Sequence, residues 1–124
     1  MEQKQTVLIV DNEALIALLI GEELGDAGFV PVICHCGQSA ITALGDRNAT
    51  YCALVTDIRL GKGPAGWEVA RCARELQASI PVVYITGDSA PDHSAMGVPG
   101  SILIQKPFMA VQIITALSNL LNSG

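Results

Sequence analysis

The stretch TVLIVDNEALIALLIGEELGDAG, residues 6–28, sets the reading of this chain. Thr6 to Val10 is a continuous apolar run rather than an alternating one, the pattern of a strand buried on both faces. Asp11, Asn12 and Glu13 end it. From Ala14 to about Ala27 the spacing turns helical, and Gly28 can stop the helix. A doubly buried strand feeding a helix is the first half of a parallel crossover.

The same unit recurs outward from it. Val30 to Cys34 is the second strand, with Pro31 near its start where a missing N–H is tolerated. Ser39 to about Arg47 is the second helix, and Ser39 is expected to cap it. Tyr51 to Thr56 is a third apolar run ending at Asp57, and a loop with Gly61, Gly63, Pro64 and Gly66 leads to a helix over Trp67 to about Gln77. Ile80 to Thr86 is the fourth strand. From Gly87 to Gly100, both ends counted, there are three glycines and two prolines, which confines any helix to about Asp92–Met96. Ser101 to Ile104 is the fifth strand, Lys106-Pro107 a turn, and Met109 to Leu121 a helix. Five strands alternating with about five helices, the fourth short or irregular, predict an α/β domain with a parallel sheet covered on both faces.

Composition narrows the class. The chain has 124 residues, enough for one domain over residues 1–124 and too few for two. Half of it is apolar but only 4% aromatic, so Val, Ile, Leu and Ala must build the core. The apolar run Ala14–Ile20 is far shorter than the roughly 20 residues of a membrane-spanning helix. Polar residues 1–6 lack the pattern of a secretory signal, and a cytoplasmic protein is expected. A net charge of −5 with seven Lys and Arg argues against nucleic-acid binding. Cys34, Cys36, Cys52 and Cys72 read as reduced thiols. Zinc held by Cys34, His35 and Cys36 lacks a second ligand pair.

In an open parallel sheet, functional groups gather beyond the carboxyl ends of the strands. Asp11, Asn12 and Glu13 follow the first strand, Asp57 the third, Thr86 the fourth and Lys106 the fifth. Oxygen ligands from Asp11 and Asp57 suit a magnesium ion. A carboxylate such as Asp57 is a legitimate covalent acceptor for a phosphoryl group, whose oxygens Lys106 and Thr86 can stabilise. Singly each residue reads as a cap or a solvated end; their shared placement is what argues for a site.

This order of Asp11 with Glu13, Asp57 after an apolar strand, Thr86, and Lys106-Pro107 resembles the receiver domains of response regulators, the CheY-like superfamily, over nearly the whole chain. The resemblance implies a flavodoxin-like doubly wound five-stranded sheet of order 2-1-3-4-5. It implies phosphorylation of Asp57 by a histidine kinase or a histidine phosphotransfer protein, with Thr86 as switch hydroxyl and Lys106 as ion-pairing lysine. It further implies a cis Lys106-Pro107 peptide that aims the ammonium into the pocket. Mg2+ is the implied cofactor, at a site comprising Asp11, Asn12, Asp57 and Arg59.

The sequence departs from the family in two places. Asn12 stands where most receivers have a second acid, which weakens the pull on a metal unless Glu13 compensates; Glu13 can equally favour the helix N-terminus. Leu103 stands where many receivers carry an aromatic ring. Arg59 and Asp88, two residues beyond Asp57 and Thr86, are expected to pair across the pocket mouth. Trp67 and Tyr84 read as packing residues, His35 and His93 as loop residues. Leu15 and Leu18 lie in a stretch apolar around the whole helix, so they form either a docking patch for the histidine-bearing partner or a face crowded by a loop. The reading is a stand-alone receiver with an unidentified downstream target, a homodimer staying open. The alternative is a receiver-like interaction module working without phosphorylation.

Overall fold

The apolar runs fold as strands because both sides of each are covered. The computed structural model describes residues 5–88 and 90–122. Strands β1 (Gln5–Val10), β2 (Phe29–Cys34), β3 (Ala53–Asp57), β4 (Val82–Thr86) and β5 (Ile102–Gln105) alternate with helices α1 (Ala14–Asp26), α2 (Gly37–Leu44), α3 (Gly66–Leu76), α4 (His93–Met96) and α5 (Ala110–Asn122). One 3-10 turn, Ala90–Asp92, leads into the four-residue α4. The sheet is parallel, in the order β2-β1-β3-β4-β5, as expected.

Alternation along the strands divides the interior in two. Leu8, Val10, Leu54, Val82 and Tyr84 turn to one face and pack with Ala40 of α2 and Trp67, Val69, Ala70 and Ala73 of α3. Val7, Ile9, Val55, Val83 and Ile85 turn to the other and meet Ile20 and Leu24 of α1 and Ile113 and Leu117 of α5. A strand that fills two cores has no polar face to show, hence its unbroken apolar sequence.

Two close approaches set the loops at the carboxyl ends. A Cβ on Gly66 would run into the Asp57 carbonyl, and one on Gly37 into the Pro64 carbonyl. The loop after β3 therefore folds tightly over its own strand end and against the start of α2. Arg74 ties the far side, its Nε donating to the Ile80 carbonyl at 2.8 Å and its Nη1 to the Pro99 carbonyl at 2.6 Å.

Helix α2 departs from expectation. It starts at Gly37, so Ser39 sits inside the first turn; Cys36 is the cap, its sulfur accepting the Ser39 N–H at 3.5 Å. It also ends at Leu44 rather than near Arg47, followed by Gly45. The Lys106-Pro107 peptide is cis, as expected.

Candidate functional site

Strand order puts β1 beside β3, and with β2 on the far side of β1 the chain reverses its winding there. Crevices form at such switch points. Asp57 ends β3 and Asp11 follows β1, and each is buried, at 6% and 1% exposure. Thr86 ends β4 and is 1% exposed. A cavity of about 390 Å³ opens above them, lined by Asn12, Glu13, Asp57, Arg59, Thr86, Gly87, Asp88 and Lys106.

Each carboxylate is held differently. Asp57 Oδ1 accepts the Ile58 N–H at 2.7 Å, and its Oδ2 accepts from Lys106 Nζ at 3.1 Å. The same ammonium donates to Glu13 Oε1 at 3.1 Å, so one cation bridges two anions. Burial pushes the lysine down, but its hydrogen bonds to Glu13 and Asp57 more than offset this and raise it overall. Asp11 Oδ1 accepts the Glu13 N–H at 2.9 Å, turning the chain into α1. Burial chiefly raises the Asp11 carboxyl to about 6, with the Asp57 charge adding to it and the Glu13 N–H and Lys106 opposing.

Asp11 Oδ2 is buried without a hydrogen-bond partner among the described residues. Carboxylate oxygens of Asp11, Glu13 and Asp57 lie within 4.8 Å of one another, a group that could hold a metal ion. All-oxygen donors and one orphaned buried oxygen fit a hard divalent cation such as Mg2+. Cys34, His35 and Cys36 form no such group among the described residues, and their thiols are half-buried and free. His35 Nδ1 lies 3.2 Å from the Asp11 carbonyl oxygen instead.

The residues read from the sequence do not all meet in one shell. Asp57, Thr86, Lys106, Asn12 and Glu13 share the cavity, with Asp11 beneath it. Arg59 turns its guanidinium to Asp88, Nε to Oδ1 at 3.1 Å, both side chains more than half exposed. Both residues line the same cavity, and their pair stands at its exposed side. Thr86 Oγ1 accepts the Asp88 N–H at 3.2 Å. Glu13 stands at the cap position of α1 without capping it by its side chain. The Glu13–Lys106 bond joins residues 93 apart, and no spacing rule announces it. Leu15 and Leu18 are 82% and 52% exposed, and Leu19 widens the patch at 50%.

A flavodoxin-like sheet carrying an acidic pocket with a bridging lysine at its switch point narrows the class to aspartate-pocket α/β domains. The profile of the response regulator receiver domain matches residues 7–118. The chain belongs to that family of two-component signalling domains. It is 31% identical over 121 residues to the phosphate regulon transcriptional regulatory protein PhoB of Pseudomonas aeruginosa, covering 94% of this chain and 52% of that one. It is 28% identical over 117 residues to the uncharacterised transcriptional regulatory protein YkoG of Bacillus subtilis, with 93% and 50% covered. The chain thus spans about half the length of these curated relatives. A response regulator receiver protein from Sinorhizobium medicae superposes with a TM-score of 0.94 at 43% identity, over 98% of this chain and 97% of that one. Among the described residues no helix is long and apolar enough to cross a membrane.

Proposed function

We propose that residues 1–124 act as a phosphorylation-dependent receiver that takes a phosphoryl group on Asp57 and changes its binding partners in response. The observation that carries this reading is the Lys106 ammonium 3.1 Å from Asp57 Oδ2, in a pocket lined also by buried Thr86, with the buried Asp11 carboxylate within 4.8 Å of that of Asp57. A carboxylate oxygen of Asp57 attacks the phosphorus of a phosphohistidine on a histidine kinase or phosphotransfer protein. The new O–P bond forms as the N–P bond breaks, and the imidazole keeps the electron pair and takes a proton from water. Lys106 then shares its charge with a phosphoryl oxygen, and the Thr86 hydroxyl turns to donate to another.

Asp11, Asp57 and either Glu13 or Asn12 would hold Mg2+, which supplies charge neutralisation for the entering group. The exposed Leu15, Leu18 and Leu19 of α1 are proposed as the face that meets the histidine-bearing partner. The cell interior is the proposed location. The proposed downstream target is a protein, a second copy being one candidate, and the net charge of −5 argues against nucleic acid. Catalysis extends at most to the domain's own phosphorylation and dephosphorylation.

The test is intact mass after incubation with Mg2+ and an acyl phosphate, beside an Asp57→Asn variant. Wild type should gain one phosphoryl group and the variant none. No gain in wild type, or an equal gain in the variant, overturns the reading. Asn12 and Leu103 favour a second reading, an interaction module that works unphosphorylated; it predicts no gain with partner binding retained.

A further inference from the structure

Three aromatic rings from three separate elements meet beneath Thr86. Tyr84 and Thr86 are two apart on β4, so their side chains leave the same face of the sheet. The Tyr84 ring is fully buried and lies 4.7 Å from the Trp67 ring of α3, tilted by 60°. His93, the first residue of α4, stands edge-on to Tyr84 at 5.7 Å and stacks along Trp67 at 6.5 Å with only 17° between planes. The imidazole also lies close against Gly97, where a Cβ would collide with it.

Hydrogen bonds fasten this stack to the segment between α4 and β5. Tyr84 Oη accepts the Val98 N–H at 3.1 Å. The Ser101 hydroxyl donates to the Val98 carbonyl at 2.6 Å, which leaves its oxygen to accept from His93 Nε2 at 2.9 Å. One imidazole therefore joins the start of α4 to the start of β5. On the other side of α4, just after β4, Thr86 Oγ1 accepts the Asp88 N–H at 3.2 Å. Leu103, paired with Tyr84 in the sheet register, packs against this cluster and brings no polar tip to it.

We propose that Trp67, Tyr84 and His93 form the relay that carries the state of Asp57 to α4 and the start of β5, with His93 as its positioning residue. The proposal rests on Asp57 being the phosphoryl acceptor. When the Thr86 hydroxyl turns to a phosphoryl oxygen, the Asp88 N–H exchanges one of its ties, and the turn after β4 is repositioned while the Arg59–Asp88 ion pair holds its outer side. His93 then shifts on the faces of Trp67 and Tyr84, and its bond to Ser101 moves β5 with it. Close-packed rings rearrange in steps rather than by continuous deformation, so a shift of this stack would supply the two-state element that a relay requires. By reciprocity, a partner that grips α4 biases the pocket through the same rings.

Trp67 is the sole tryptophan and reports directly on this stack. Its emission should be recorded before and after loading with Mg2+ and acetyl phosphate, with intact mass run on the same samples. Wild type should shift its emission as the phosphoryl mass appears. His93→Leu, which keeps apolar volume but not Nε2, should still gain the phosphoryl mass and lose the emission shift. Ser101→Ala, which removes the acceptor from the other side, should lose it as well and stands in if His93→Leu does not fold. An unchanged Trp67 emission in wild type that carries the phosphoryl mass overturns the relay alone, as does a full shift in both variants. Absence of the phosphoryl mass in wild type overturns the reading of Asp57, and the relay falls with it.

Discussion

Asp11 is a carboxylate whose neighbourhood is hostile to its own charge until a cation arrives. Burial, chiefly, lifts it from 3.8 to about 6. A shift of that size corresponds to roughly 3 kcal/mol set against the folded state at neutral pH. Replacing it by the neutral amide, Asp11→Asn, keeps an oxygen for the Glu13 N–H and removes the charge. The folded carboxyl binds its proton more tightly than the unfolded one, so wild-type stability falls as pH rises from 3.8 to about 6. In EDTA the variant and wild type should therefore match below that window, diverge through it, and differ by up to roughly 3 kcal/mol above it, the variant being the more stable. Urea unfolding at a series of pH values reads this out. Adding Mg2+ at 100 times its Kd should close most of that gap, since it stabilises the wild type by about 2.7 kcal/mol and the variant by far less. At 1,000 times its Kd, worth about 4.1 kcal/mol, it should reverse the order. A metal-free variant less stable than wild type at pH 7, or a difference indifferent to pH, would refute the reasoning.

Further expectations concern the rim and the loop over Asp57. Arg59→Ala removes an ion pair between exposed groups, so stability should change by less than about 0.5 kcal/mol. The phosphoryl group on Asp57 should nonetheless decay faster as water gains access, and a time course of intact mass with an unchanged lifetime contradicts that. Gly66→Ala forces a methyl group against the Asp57 carbonyl and should cost on the order of 1–3 kcal/mol in thermal or urea unfolding. Asn12→Asp adds an anion to the cavity wall and should tighten Mg2+ on the order of tenfold by calorimetric titration; an equal Kd would show that residue 12 lies outside the metal's reach.

Most of the fold is legible because burial on both faces leaves so plain a mark. Val7 to Val10, Leu54, Val55 and Val82 to Ile85 serve two cores in alternation, and no polar residue interrupts them. Helix ends are less plain, since they depend on a few backbone groups. Ser39 has the chemistry of a cap, yet the chain turns three residues earlier and a cysteine sulfur takes the N–H instead. Composition says nothing of the close approach of Gly37 to Pro64, which falls at the first residue of α2.

For the site, position along the strands reveals Asp57, Thr86 and Lys106, while partnerships between distant residues stay hidden. The Arg59–Asp88 pair was readable because both residues stand two places beyond a strand-end group. Glu13 was legible only as a choice between metal ligand and helix-end charge, and its hydrogen bond to Lys106 adds a third role. That bond explains how the pocket tolerates Asn12: the lysine still faces two anions, so it stays charged and aimed at Asp57. The lost carboxylate weakens the grip on a metal rather than on the lysine. Leu103 has a similar reading. An aliphatic side chain there is compatible with switching because ring contacts sit one strand inward, at Tyr84. Trp67, Tyr84 and His93 each look ordinary in sequence, as two packing residues and one loop residue, and only the approach of α3, β4 and α4 turns them into a single stack.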